Sequence, residues 1–117
     1  MDLTWNTCGN KKFWCSFLSV NLNHAHFNRM KGVYIIWQGG GPIIRIGQGI
    51  IRDRLSAHRK DEAITSYGNL FVTWVAVSSS FSRDGVERYL ADRLSPIVGD
   101  GFPNVVPIEV NLPWPYQ

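Results

Sequence analysis

No stretch of the chain approaches the ~18 consecutive apolar residues of a membrane span, so none is expected. The start, MDLTWNTCGNKKFW, lacks a positive segment followed by a long apolar one, and no signal peptide is expected either. Charge of one sign does not dominate: 12 Lys+Arg against 9 Asp+Glu leave +3, which is compatible with nucleic acid without pointing to it. Cysteine is scarce. Cys8 and Cys15 are too few for a disulfide framework and are expected as buried thiols in a soluble, reducing, cytoplasmic setting. There is no internal repeat and no composition break that would mark a second domain.

What is present is a core. Hydrophobic residues make up 44% of the 117 positions, charged residues 18%, and five tryptophans supply bulk to a small domain. A chain of this size buries roughly two-thirds of its extended surface. Residues 1–31 carry little periodicity and read as an N-terminal extension packing on that core, where Trp5, Phe13, Trp14, Phe17, Leu18 and Val20 form either a short strand or a half-buried turn. Cys8, Cys15, His24 and His26 nominally offer four zinc-type ligands, but C-x6-C with H-x-H matches no standard finger spacing. Thiols and loop histidines are the expectation there.

From Gly32 the pattern sharpens. Residues 33–37 read as a strand, GGGP at 39–42 as a turn and 43–46 as a second strand, together a short antiparallel hairpin. A two-residue period places Tyr34 and Ile36 on one face of the first strand. In the second it places Ile44 and Ile46 on one face and Ile43, Arg45 and Gly47 on the other. A helix is expected through IIRDRLSAHRKDEAI, burying Ile51, Leu55 and Ala57 or His58, with Arg54 and His58 on one side. Residues 70–77 form a third strand. A second helix over 84–95 follows, capped by Ser82 or by Asp84 with Glu87 at capping-box spacing, and Val86, Leu90 and Leu94 face the core. Pro96 ends it. The proline-rich tail is expected to be an irregular strap with a short strand near Val105–Val110. The fold class is α/β in the α+β sense: a small β-β-α-β-α domain with a mainly antiparallel three-stranded sheet flanked by helices.

Arg45, Arg52, Arg54, Arg59 and Lys60 fall within one short span and would attract a phosphate chain, or form a solvated helix face. Gly32-Val33-Tyr34, ten intervening residues and then Arg45-Ile46-Gly47 resemble the paired signature of the GIY-YIG nuclease superfamily. The resemblance covers residues 32–111 as the shared domain, with 112–117 as a tail. It implies an endonuclease that hydrolyses DNA phosphodiester bonds with Mg²⁺ or Mn²⁺. It places the metal-holding carboxylate on Glu87, the phosphate-clamping guanidinium on Arg54, a tyrosine-or-histidine position on His58, and a late polar residue on Asn111 rather than Asn104.

The chain departs from that pattern at its centre. The tyrosine that opens the second signature is Arg45, which cannot abstract a proton at neutral pH. Arg45 either grips phosphate beside Arg54 or neutralises Glu87 and excludes the cation. Tyr34, ionised more readily beside Arg45 and a metal, or His58, with its ordinary pKa near neutrality, is then left to assist the water. Each residue has a plainer reading: Tyr34 as a satisfied sheet tyrosine, Arg54 in an ion pair with Asp53, Asp61 or Glu62, His58 as a helix histidine, and Glu87 as a carboxylate near a helix N-terminus. Gly47 and Gly49 either keep the strand end narrow or simply make a turn. Trp74 is expected in the core rather than stacked on a base. Two further functions stay open: a noncatalytic nucleic-acid-binding domain, supported by Arg45, and a protein-interaction domain whose partner meets the tryptophan-rich beginning and proline-rich end.

Overall fold

The computed structural model describes residues 1–9, 13–99 and 101–114. Two long strands, β2 (Lys31–Gln38) and β3 (Ile43–Ile50), form the expected hairpin. Gly40 turns the chain at φ +70, a conformation that favours glycine, and Gln38 N–H closes the turn on the Pro42 carbonyl at 3.1 Å. The third long strand, β4 (Leu70–Ala76), pairs antiparallel with β2, with Tyr34 opposite Trp74.

The sheet has four strands rather than three, in the order β1-β4-β2-β3. The additional member is β1 (Cys15–Ser16), which pairs with Val72 and Phe71 on β4. Two residues are too few to show a period, so the sequence leaves a short strand and a half-buried turn open here, and the strand is what forms. β3 is therefore an outer strand and runs four positions beyond the expected 43–46, through Gly47 and Gly49.

The hairpin carries a bulge. Ile36 pairs with Arg45 but Trp37 with Ile43, which leaves Ile44 as the extra residue. The expected alternation thus fails. Ile44 joins the apolar cluster around Tyr34 and Ile36, while Ile46 joins the one around Val33 and Ile35 on the opposite face.

Helices cover both faces. The stretch expected as one helix breaks into α1 (Ile51–His58) and the short α2 (Glu62–Thr65). The break comes where the Asp61 side chain accepts from Ala63 N–H at 3.0 Å and starts a new turn. Ile51, Leu55 and Ile64 from these helices cover the Tyr34 face with Phe17, Leu22 and Phe27. On the other face, α3 (Ser80–Leu94) buries Val86, Leu90 and Leu94 with Trp5 and Val110. α3 begins at Ser80 and not at 84, because Ser79 accepts from Ser82 N–H at 3.3 Å and takes the cap from Ser82 and Asp84. Ser95, left-handed at φ 47, and then Pro96 end it.

The chain ends are tied into this core. Cys8 and Cys15 form a disulfide and are not the expected thiols; a bridge between Cys8 and Phe13 folds the segment so that their Cα atoms lie 5.1 Å apart. The nominal zinc set is engaged otherwise as well, since His24 Nδ1 accepts from His26 N–H and His26 Nε2 accepts from Trp74 Nε1. Trp14 packs edge-on against Trp37 and Trp114 at ring distances of 5.6 and 5.9 Å, so the aromatic residues of both ends form one cluster. No strand forms over 105–110; Ile108 N–H instead donates to the Gly85 carbonyl at 2.9 Å. No helix among the described residues is long and apolar enough to cross a membrane.

Gly32, the second residue of β2, lies so close to β4 that a Cβ there would overlap the Val75 carbonyl oxygen. A backbone group in a central pairing cannot swing aside as a flexible side chain does. Gly32→Ala is therefore expected to cost about 3 kcal/mol of stability, at the upper end of overpacking penalties, and chemical denaturation reads it. A stability equal to the natural chain would contradict this close approach.

Candidate functional site

Five of the six candidate residues share one electrostatic neighbourhood at the outer edge of β3. Tyr34 is fully buried on β2, and Gly47 stands opposite it on β3. A Cβ at Gly47 would occupy the space of the phenol oxygen, so the glycine is what admits the Tyr34 side chain. Two residues on, and on the same face of β3, Gly49 at φ +133 lies against Arg54, whose Cγ would be 3.4 Å from a Cβ there. Both glycines lie within the strand and serve close approach.

The phenol meets the buried imidazole of His58, with Tyr34 Oη and His58 Nε2 2.6 Å apart. Burial pushes the Tyr34 pKa above its ordinary value of 10.0, and Arg54 and then Arg45 act against that shift by polar contact and charge. Desolvation wins, so the phenol keeps its proton; the easier ionisation expected from two neighbouring cations is not the outcome. Burial, reinforced by the charges of Arg45 and Arg54, pushes His58 down from 6.5 to about 4, with Asp61 opposing weakly. His58 is accordingly neutral at pH 7. The phenolic O–H donating to an unprotonated Nε2 fits both protonation states.

Glu87 reaches the same region from α3, on the opposite face of the sheet. It is 9% exposed, and burial pushes its pKa from 4.5 up to about 7. Arg45 lowers it, Asp84 raises it and Arg54 lowers it, which puts both guanidiniums within electrostatic reach of the carboxylate. Among the described residues, Glu87 makes no hydrogen bond and no salt bridge.

Of the clustered cations, Arg52 and Arg59 are engaged structurally. Arg52 Nε donates to the Leu22 carbonyl at 2.7 Å, and Arg59 donates to the carbonyls of Phe17 and Val20 at 3.0 and 2.5 Å. Arg54, Arg45 and the exposed Lys60 remain. None forms a salt bridge among the described residues, which excludes the pairing of Arg54 with Asp53, Asp61 or Glu62. Arg45 is half-buried, its Nε is buried without a hydrogen-bond partner, and its guanidinium fills the space a Cβ would need at Gly99.

Asn111 is engaged elsewhere. Its Oδ1 accepts from Leu3 N–H at 2.6 Å and its Nδ2 donates to the Leu3 carbonyl at 2.9 Å, so the side chain tethers the N-terminal segment. A cavity of about 520 Å³ that it lines with Trp5, Trp14 and Leu112 contains none of the other five candidates. Trp74 is core, 3% exposed. Two residues that sequence reading left aside join the region: Gln48 and Arg83 hold Asp84, which reads in sequence only as a capping candidate. The usable signal was spacing, since Asp84 and Glu87 at i, i+3 share a helix flank.

No group of three or more His, Cys, Asp or Glu residues converges as a metal cluster among the described residues. A buried carboxylate without a partner does fit a cation held mainly by water and substrate oxygens, the habit of Mg²⁺. Comparison with protein-family models, with curated proteins and with solved structures returns no match.

The two shifted groups work in opposite senses on stability. Glu87, raised to about 7, binds its proton more tightly folded than unfolded, so its contribution to stability falls as pH rises from 4.5 through 7. His58, lowered to about 4, binds its proton less tightly when folded, so its contribution grows as pH rises from 4 to 6.5. Glu87→Gln isolates the first effect because His58 titrates in both chains. The variant is expected to exceed the natural chain by about 3 kcal/mol near pH 8, with a difference that closes toward pH 4.5. Denaturant unfolding across this range measures it, and a difference independent of pH would contradict a buried, proton-holding Glu87.

Proposed function

We propose that the chain is a divalent-metal-dependent endonuclease that hydrolyses phosphodiester bonds of DNA. The carrying observation is the convergence, around the Tyr34–His58 pair, of two guanidiniums with no carboxylate partner and one buried carboxylate with no direct partner. Unmatched charges of both signs held apart in one place are costly for folding alone and are balanced when a phosphate and a cation enter.

On this reading Arg54, exposed on α1, meets the scissile phosphate with directed charge-assisted hydrogen bonds, and half-buried Arg45 takes a second nonbridging oxygen. Glu87 would hold Mg²⁺ or Mn²⁺. Bound there, the cation supplies Lewis-acid polarisation of the phosphate and stabilises the leaving oxygen. Tyr34 and His58 handle the proton. Substrate binding would first have to open the phenol, fully buried in the free protein, to the attacking water; as the water oxygen then bonds to phosphorus, its proton passes to Tyr34 Oη while the phenolic proton passes to His58 Nε2. The P–O bond to the leaving group breaks, and that oxygen takes a proton from solvent. The imidazole is a poor base in the free protein because burial, and after it the charges of Arg45 and Arg54, disfavour its charged form. A bound phosphate screens those charges and relieves that part of the shift, which couples base strength to substrate binding.

A second reading is favoured by Arg45 in place of the expected tyrosine: a domain that binds nucleic acid without cutting it. A panel of supercoiled, linear, branched and single-stranded DNA with Mg²⁺ or Mn²⁺ separates the two. Cleavage is expected, with Glu87→Ala and Arg54→Ala each lowering the rate at least about 100-fold and Tyr34→Phe interrupting the proton path. Salt-sensitive binding without cleavage, lost in Arg45→Ala, would establish the second reading instead. Activity unchanged in both the Glu87 and Arg54 variants would reject the centre.

A further inference from the structure

On the flank of α3 nearest β3, a second carboxylate is held in a fixed orientation that the proposed reaction does not use. Arg83, only 8% exposed, donates through one terminal nitrogen to the carbonyls of Val77 and Ser78 at 3.0 and 2.7 Å. Its Nε donates to Gln48 Oε1 at 3.0 Å, and that contact fixes which way the Gln48 amide faces. Gln48 Nε2 then donates to Asp84 Oδ1 at 3.0 Å. The relay from backbone through Arg83 and Gln48 thus pins one oxygen of Asp84. The other oxygen has no hydrogen-bond partner among the described residues.

Arg83 makes no ion pair with Asp84, so the relay orients this carboxylate without neutralising it. One turn further along, Glu87 is buried and without a direct partner among the described residues. Two carboxylates at i, i+3 repel each other, and like charges on a helix flank are destabilising. A cation between them reverses the sign.

We propose that Asp84 is a second carboxylate of the divalent-cation site, oriented by Gln48 and Arg83 and acting directly or through a coordinated water, a role that rests on the reading of Glu87 as the cation's ligand. Orienting partners of this kind are commonly worth about 10- to 100-fold in metal affinity.

Binding of Mn²⁺ alone to the full chain, followed by electron paramagnetic resonance at high protein concentration, tests this without reference to cleavage. Glu87→Gln is expected to abolish binding, Asp84→Asn to weaken it about tenfold or more, and Gln48→Met, which leaves both carboxylates in place, to weaken it severalfold. Asp84→Glu should restore part of the loss. Thermal unfolding without metal accompanies each variant, and Gln48→Met keeps the test decisive if Asp84→Asn proves unstable. Natural affinity in Asp84→Asn and Gln48→Met, with loss in Glu87→Gln, overturns the role of Asp84 and leaves the Glu87 reading intact. Absence of Mn²⁺ binding by the natural chain overturns both.

Discussion

The site depends on what β3 leaves out. Gly47 and Gly49 remove two successive side chains from one face of an outer strand, and the vacated space is filled by the Tyr34 phenol and by the stem of Arg54. Because no fifth strand lies beyond β3 among the described residues, a residue on α3 can approach the same edge from the opposite face. Glu87 does so, and the charges of Arg45 and Arg54 register on it from the other side of the strand. Side chains at 47 and 49 would refill the gap, displace the phenol and crowd the arginine. The rest of the arrangement follows from that one narrow stretch of backbone.

Burial then determines the charge of the pocket. Desolvation keeps Tyr34 protonated, holds His58 neutral and brings Glu87 to about 7, so each of the three is shifted toward its uncharged form. The guanidiniums alone do not follow, because arginine keeps its charge in proteins. The free site is therefore cationic, and the cation is delocalised over two planar groups suited to phosphate oxygens. A small net charge of +3 spread over the whole chain would not attract DNA strongly. Concentrating unpaired guanidiniums at one strand edge, while Arg52 and Arg59 are engaged by carbonyls, gives that modest charge a direction.

Legibility in the sequence followed the length of the signal. The hairpin, the strand from Leu70 and the core stripe Val86, Leu90 and Leu94 were readable because each repeats its period several times. The Tyr34 and Ile36 face was readable for the same reason. The two-residue β1, the bulge at Ile44 and the helix break at Asp61 were not, since each depends on a single pairing or capping contact. The disulfide depends on the fold of a segment without periodicity. At the site, the residue types of Tyr34, Arg54, His58 and Glu87 could be picked out, but their protonation states could not, because burial reversed the expectation for Tyr34. Asn111 fails for a different reason: it lies in a tail without regular structure, where order along the chain says little about position in space.

Arg45 is where these strands of argument meet. Arginine in an interior strand position is expensive, and this one has a buried Nε with no acceptor among the described residues. Its guanidinium nevertheless has a shaped place, against Gly99 at φ +101, where any side chain would collide with it. A seat of that form holds the group still, and a fixed cation lowers the reorganisation needed when charge develops on phosphate. The same fixed cation depresses His58 and partly offsets the burial of Glu87. Compared with the resembled signature, a guanidinium at this position offers no candidate base, and its charge adds to burial in weakening the neighbouring one until an anion arrives. On the proposed reading, a phosphate is then both the substrate and the condition for the proton path to open, which makes Arg45 the element that ties chemistry to occupancy.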